Sequence, residues 1–301
     1  MLDLSHIPNS QQDIQIFNAN GSAWQTWQKP RKCNYVWIMC IGGGGGGAGG
    51  NIGSNFNSAT GGGSGAVSRA LYNAQQLPDR LYVQVGLGGA GGAGAITPVI
   101  GSLGSAGTRS VVALQPSVVA QNMVAISGNA GAAGGNNTGA TISGETTSTQ
   151  ATATFYTLSN FISTAGIGST NTGSFTPNNV TPLTSQITCP GGGGAGQFNS
   201  SPAAIAGASI LSSSVSPLIP GGAGTIVSGS NGGNGANGIT SWKPFFSLGG
   251  AGGGAAASGS GGNGGNGGIG SGGGSGGSTA TIGPGGNGGK GGDGLVIIIS
   301  F

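Results

Sequence analysis

Pro284-Gly285-Gly286-Asn287-Gly288-Gly289-Lys290-Gly291-Gly292-Asp293-Gly294 runs without a break into Leu295-Val296-Ile297-Ile298-Ile299. The first part repeats Gly-Gly-X, with a larger polar residue at every third position. A period of three matches neither the α-helix nor the strand. It matches the left-handed polyproline II helix, which has three residues per turn and no internal hydrogen bonds. Alone, such a helix leaves every N–H and C=O to water. Side by side, bare glycine faces let neighbouring helices bond backbone to backbone. The second part is apolar at successive positions, as in a strand buried on both faces. The stretch predicts a polyglycine II segment feeding a β-core. Asn or Lys at the third position points out of the bundle, and Lys290 pairs with Asp293 at its surface.

The same period recurs upstream. Asn263, Asn266 and Ile269 each follow Gly-Gly, and Asn231, Asn234 and Asn237 nearly do. Glycine makes up 72 of 301 residues, where about 7 % is ordinary. That much glycine disfavours helices and strands, because each one loses more backbone entropy on folding than any other residue. It also contributes no reactive side chain, so the composition points to a building material before an enzyme. Collagen is excluded, since it needs long unbroken Gly-X-Y with abundant proline and these triplets are short, with Pro284 alone nearby. Disordered chains combine low hydrophobicity with high net charge. This chain has neither, and its apolar strands argue for order.

Asp13-Ile14-Gln15-Ile16-Phe17 alternates polar and apolar, a half-buried strand, and Asn18–Ser22 turns the chain. Ala23–Lys29 carries Trp24 and Trp27 and stops at Pro30. Tyr35–Ile41 is apolar on both faces and runs straight into Gly42–Gly47. Further β-prone stretches are Ala66–Tyr72, Leu81–Gly86, Val111–Leu114 and Val118–Ile126, with at most one short helical turn within 66–76. Trp24, Trp27 and Trp37 are expected in or over the β-core, the alternative being an exposed platform that stacks on sugars or a partner. Residues 140–190 are poorer in glycine and rich in Thr and Ser, with Ala151–Tyr156 strand-like, and read as an insertion or a separate β subdomain. The expected architecture is all-β: a β-sheet core formed by the N- and C-terminal apolar strands, with glycine-rich loops stacked as polyglycine II helices. Residues 1–12 form an extended arm, and 13–301 one glycine-rich β/polyglycine II domain.

Reactive chemistry finds little to stand on. Eight Lys and Arg against five Asp and Glu give a net charge of +3, no footprint for nucleic acid. The one basic cluster, Lys29-Pro30-Arg31-Lys32, reads as a solvated turn before a strand. Cys33, Cys40 and Cys189 lack metal-ligand spacing, and His6 is the single histidine, so no zinc site is expected. The odd cysteine count suggests free thiols and folding in a cytoplasm. No Gly-Lys-Ser/Thr follows a glycine run, so there is no P-loop. The carboxylates Asp3, Asp13, Asp79, Glu145 and Asp293 are scattered, and a Ser-His-Asp triad would have to recruit His6. No enzymatic activity and no cofactor are expected. Met1–Pro8 has no basic and apolar regions of the signal-peptide type, and the longest fully apolar run, Tyr35–Ile41, is far short of a membrane span. Trp242-Lys243-Pro244-Phe245-Phe246 is a bulky island between glycine-rich stretches. It either plugs the glycine-rich sandwich or packs on the core, or, through Trp242, Lys243, Phe245 and Phe246, makes a loop-tip contact with a host surface or a neighbouring subunit.

Three landmarks carry a resemblance. The first is Phe17-x-x-x-Gly21-Ser22-x-Trp24-x-x-Trp27-x-x-Pro30, leading to an apolar strand and Gly42–Gly47. The second is Leu77-Pro78 followed by Leu81-Tyr82-Val83-Gln84-Val85-Gly86-Leu87-Gly88-Gly89-Ala90-Gly91-Gly92. The third is the closing stretch quoted above. In this order they resemble glycine-rich virion proteins of tailed phages, found at tail-fibre tips, spikes or head fibres. The resemblance implies a polyglycine II sandwich whose variable loops touch the host surface. It further implies a non-enzymatic virion protein made in the host cytoplasm. Its expected partners are other virion proteins (fibre, tail or capsid subunits) and a host surface glycan or outer-membrane protein, with the chain a homo-oligomer or docked on one. The arm, through Leu2, Leu4 and Ile7, would be the particle anchor. A long fibre shaft is missing from the pattern, which suits a separate tip protein or a compact decoration. The alternative is a purely structural capsid protein without a receptor role.

Overall fold

The structure is a computed structural model, which describes residues 13–53, 59–97, 100–118, 123–126, 159–163, 192–193, 204–213, 216–243, 245–281 and 283–301. The arm at 1–12 and the strand-like Ala151–Tyr156 lie outside the described residues.

Eleven strands are described: β1 (Asp13–Asn18), β2 (Gln25–Gln28), β3 (Tyr35–Ile41), β4 (Val67–Asn73), β5 (Arg80–Gln84), β6 (Val111–Ala113), β7 (Met123–Ile126), β8 (Ser159–Ser163), β9 (Thr240–Trp242), β10 (Phe245–Ser247) and β11 (Leu295–Ser300). They form a five-stranded sheet in the order β1-β11-β3-β4-β8, a four-stranded sheet β2-β5-β6-β7, and the β9–β10 hairpin. All pairings are antiparallel. The two ends of the chain meet: Asp13 lies opposite Ser300 and Asn18 opposite Leu295. Of the region 140–190, β8 is described, and it adds an edge to the main sheet beside β4.

The terminal strands alone do not complete the core. A sheet that is apolar on both faces needs a covering layer on each, and the middle of the chain supplies one. Phe17, Val36, Ile38, Cys40, Tyr72, Val296 and Ile298 from the larger sheet pack on Trp27, Leu81, Val83, Val112 and Val124 from the smaller. Burying each such side chain stabilises by about 1.5–3 kcal/mol. Trp27 is fully buried, whereas Trp24 and Trp37 lie half-buried against neighbouring clusters. Burial pushes the Cys40 thiol and the Tyr72 phenol up, and Tyr72 Oη donates to the Val124 carbonyl at 2.7 Å. The helical turn expected within 66–76 is a single 3-10 turn, Ala74–Gln76, whose cap Asn73 accepts from Gln75 N. Lys29 is more than part of a solvated turn. Its Nζ donates to the Ala74 and Leu77 carbonyls and stands 3.1 Å from Asp79, tying that turn to the start of β5.

Beyond the sheets the chain continues as a bundle of three-residue-per-turn segments. Segment 42–50 shows the rule. Gly43, Gly46 and Gly49 donate to the carbonyls of Thr108, Ser105 and Ser102; Gly44, Gly47 and Gly50 donate to Gly292, Gly289 and Gly286; Gly45 and Ala48 donate to Gly63 and Thr60. Successive residues therefore bond to different neighbours, and every third residue returns to the same one. Segments 86–95 and 271–279 in turn donate to its carbonyls. Segment 271–279 is more enclosed still. It is bonded to 42–50, 60–66, 248–256, 260–268, 284–294 and the Gly192–Gly193 pair, and every one of its residues is buried. Close approach makes glycine obligatory here. A Cβ on Gly47 would fall on the Gly274 carbonyl, and one on Gly289 on the Gly265 carbonyl.

Sandwich and bundle are joined through Ser110, which is fully buried. Its hydroxyl donates to the Ile41 carbonyl at 2.6 Å and accepts from Gly86 N at 2.9 Å, at the points where β3 and β5 give way to glycine. At the far end, Ile52, Thr279, Ala256 and Thr225 lie level in a row of parallel bridges.

Candidate binding surfaces

The third-position residues gather on one face. Segments 231–239, 260–268, 284–294 and 86–95 lie side by side in that order. Asn231, Asn234, Asn237, Asn263, Asn266, Asn287 and Lys290 are all exposed, as the triplets predict. A peptide N–H on this face has no further segment to bond to, and the asparagine side chain supplies the missing carbonyl. Asn231 Oδ1 accepts from Ser260 N at 2.9 Å and Asn234 Oδ1 from Asn263 N at 2.8 Å. Asn263 Oδ1 accepts from Asn287 N at 2.8 Å, and Asn287 Oδ1 from Gly94 N at 2.9 Å. The next row repeats the device with Asn237 on Asn266 N and Asn266 on Lys290 N. A third row uses Thr240 Oγ1 on Ile269 N and Asp293 Oδ1 on Gly88 N. Lys290 Nζ meets Asp293 Oδ1 at 2.8 Å, the expected surface pair. Sequence reading placed the asparagines outside but missed their carbonyl-surrogate role. The signal was there in the preference for Asn, whose amide copies a peptide group.

At the distal end of this face lies a groove of about 550 Å3, lined by Ile96, Asn231, Asn234, Asn263, Pro284 and Asn287 among others. The described residues 51–53, 96–97, 225–231, 256–260 and 279–281 also gather at this end, beside segments whose bonds are level there. They expose apolar side chains to solvent, Ile96 by 85 %, Ile226 by 60 % and Val227 by 61 %.

Of the Trp242–Phe246 island, Trp242 ends β9 and Phe245 and Phe246 begin β10, which pair at the opposite, sheet-side end of the bundle. Phe245 packs on the outer face of the five-stranded sheet with Leu295, Ile297 and Ile269. Phe246 packs on Ile210, Ile219 and Leu248. Trp242 is half-exposed and its ring lies 5.5 Å from that of Phe245, while Lys243 is exposed. The island is therefore both plug and surface, divided residue by residue. Leu2, Leu4 and Ile7 lie outside the described residues.

Among the described residues, charge and nucleophiles do not converge. Asp79 is held by Lys29 and Asp293 by Lys290, while Asp13 accepts from Gln15 Nε2. Among the described residues no three His, Cys, Asp or Glu stand together as a metal-binding group. None of their helices is long and apolar enough to cross a membrane.

No curated protein matches the chain. The model of a family described as a glycine-rich domain matches residues 18–300. That span runs from the end of β1 to the end of β11 and takes in the bundle and every described strand but β1, so the chain belongs to this glycine-rich domain family.

Proposed function

We propose that the chain is a non-enzymatic structural protein on the exterior of a phage particle, and that it contacts the host surface with the distal turns of its bundle. The observation that carries this reading is the separation of the two ends. β1 begins at Asp13, on the edge of the sandwich farthest from the bundle, because Asn18 and not Asp13 lies beside Leu295 at the junction. Asp13 therefore stands at one end, and the row Ile52, Thr279, Ala256 and Thr225 stands at the other. Anchor and contact surface fall at opposite ends of a stiff body. The order of the three sequence landmarks supports the phage assignment. Trp242 and Lys243, on the sheet-side end, would face neighbouring virion subunits, whereas Ile96, Ile226 and Val227 would face the host.

Cryo-electron microscopy of purified particles tests the reading by locating the chain. Density at a fibre or tail tip with the turns outward is the expected result. Density flat on the head lattice with the turns against other subunits makes the chain a capsid component and removes the receptor role. Deleting residues 1–12 should abolish incorporation into particles; normal incorporation refutes the anchor.

A further inference from the structure

We propose that the asparagine groove is a binding site for an uncharged, acetamido-bearing glycan. The groove's chemistry is one-sided. A backbone N–H can be accepted only by Oδ1 of an asparagine, never by Nδ2. The bonds from Ser260, Asn263, Asn287 and Gly94 therefore fix which way the amides of Asn231, Asn234, Asn263 and Asn287 are turned. Each oxygen already accepts one bond from the protein, and each Nδ2H2 remains as a pair of donors for a ligand, so donors outnumber the acceptor sites left over. The lattice sets the positions of these donors. Third positions along one segment are about 9 Å apart, at roughly 3.1 Å per residue, and adjacent segments stand at backbone hydrogen-bonding distance. The donors are thus held in place before any ligand arrives, which lowers the ordering cost of binding.

A ligand matching this surface offers many oxygen acceptors and few obligatory donors. It carries no charge, because none of the described residues lining the groove is Lys, Arg, Asp or Glu. It has an apolar face for Ile96 and Pro284, which also line it. An extended peptide fits poorly, since half of its backbone groups are donors. A neutral pyranose chain fits, and an acetamido carbonyl is the strongest uncharged acceptor such a chain presents. The site lies on the flank of the bundle and is a property of the soluble chain. It stands or falls separately from the particle reading, which depends on where the protein sits.

The test is titration of the full chain with chitohexaose, followed by NMR of the asparagine side-chain amides. Selective shifts of the Asn234, Asn263 and Asn287 Nδ2H2 signals are expected, without shifts of Asn18 or Asn73. A double variant, Asn234→Asp with Asn263→Asp, keeps an acceptor for each backbone N–H and removes two pairs of donors. It should retain the thermal midpoint and weaken chitohexaose binding at least roughly tenfold, about the loss of one good hydrogen bond. The absence of any side-chain shift in the unsubstituted chain at millimolar chitohexaose overturns the proposal. So does equal affinity in a folded double variant, or tighter binding of a sulfated oligosaccharide than of chitohexaose.

Discussion

Segments 271–279 and 284–294 share a Gly-Gly-X habit and lie against each other, yet they answer to different surroundings. The first reads Ser271-Gly272-Gly273-Gly274-Ser275-Gly276-Gly277-Ser278-Thr279, is enclosed by six neighbours and has no exposed residue. The second carries Asn287, Lys290 and Asp293 and faces water along one side. Inside, a third-position side chain must be small. If polar, it must find a carbonyl at short range, as Ser275 Oγ does with Ala59 at 3.0 Å and Gly193 at 3.3 Å. Outside, the third position has room, and the shortage is of carbonyls for the outward N–H groups. Asparagine meets it. One lattice thus sets two rules, decided by how many neighbours a segment has.

The largest expected departure from these rules comes from giving an interior glycine a side chain. Gly47→Ala places a methyl on the Gly274 backbone, which cannot move without breaking bonds to several segments. The cost should exceed about 3 kcal/mol, beyond ordinary overpacking. Thermal unfolding should show collapse of the midpoint or loss of soluble protein, and a midpoint within a degree or two of the unsubstituted chain would falsify the interior rule.

Ser110→Ala comes next. It strands the buried Ile41 carbonyl and Gly86 N–H, and each unsatisfied group costs about 1–3 kcal/mol. Urea unfolding should report that loss with little change of slope. If the loss is negligible, the junction is held by something other than this hydroxyl.

On the outer face, Asn263→Ala deletes one carbonyl surrogate, for Asn287 N, and should cost about 1 kcal/mol. Asn263→Asp should restore most of it, because the acceptor returns. Equal losses in both variants would mean that the amide acts through something other than its oxygen. Smaller again is Lys290→Ala. It removes an exposed ion pair with Asp293 and should change stability by no more than about 0.5 kcal/mol.

The sandwich behaves differently from the bundle in alkali. The raised thiol of Cys40 and phenol of Tyr72 hold their protons more tightly folded than unfolded. The unfolded state begins to release them above about pH 8.5 for the thiol and about pH 10 for the phenol. Stability should therefore be flat below that range and fall as pH rises through it. Cys40→Val should delay the onset in pH-dependent unfolding; an unchanged onset would remove Cys40 from the explanation.

Much of the fold was legible in advance because two periodicities are unusually pure. The alternation in Asp13–Phe17 and the two-faced runs Tyr35–Ile41 and Leu295–Ile299 became β1, β3 and β11. The spacing of three at Asn263, Asn266 and Ile269 became a bundle segment with both asparagines outward, while Ile269 packs beside Phe245 against the sheet. What was not legible was partnership. The four-stranded sheet that covers the terminal strands comes from short runs, such as Val111–Ala113, too brief to announce their packing. The division of Trp242–Phe246 into an exposed tryptophan and two seated phenylalanines depends on clusters formed by Leu295 and Ile210, both remote in sequence.

The sequence by itself determined the material: three-residue turns, two-faced strands, glycine where backbones must touch, and asparagine where they do not. These are local requirements, since period and side-chain size act within a few residues. Only the tertiary structure decided which segment lies inside, which asparagine oxygen meets which N–H, and that Asp13 and the row Ile52, Thr279, Ala256 and Thr225 stand at opposite ends. A threefold helix without internal hydrogen bonds carries no partner of its own, so each bond in the bundle is chosen by the segments around it.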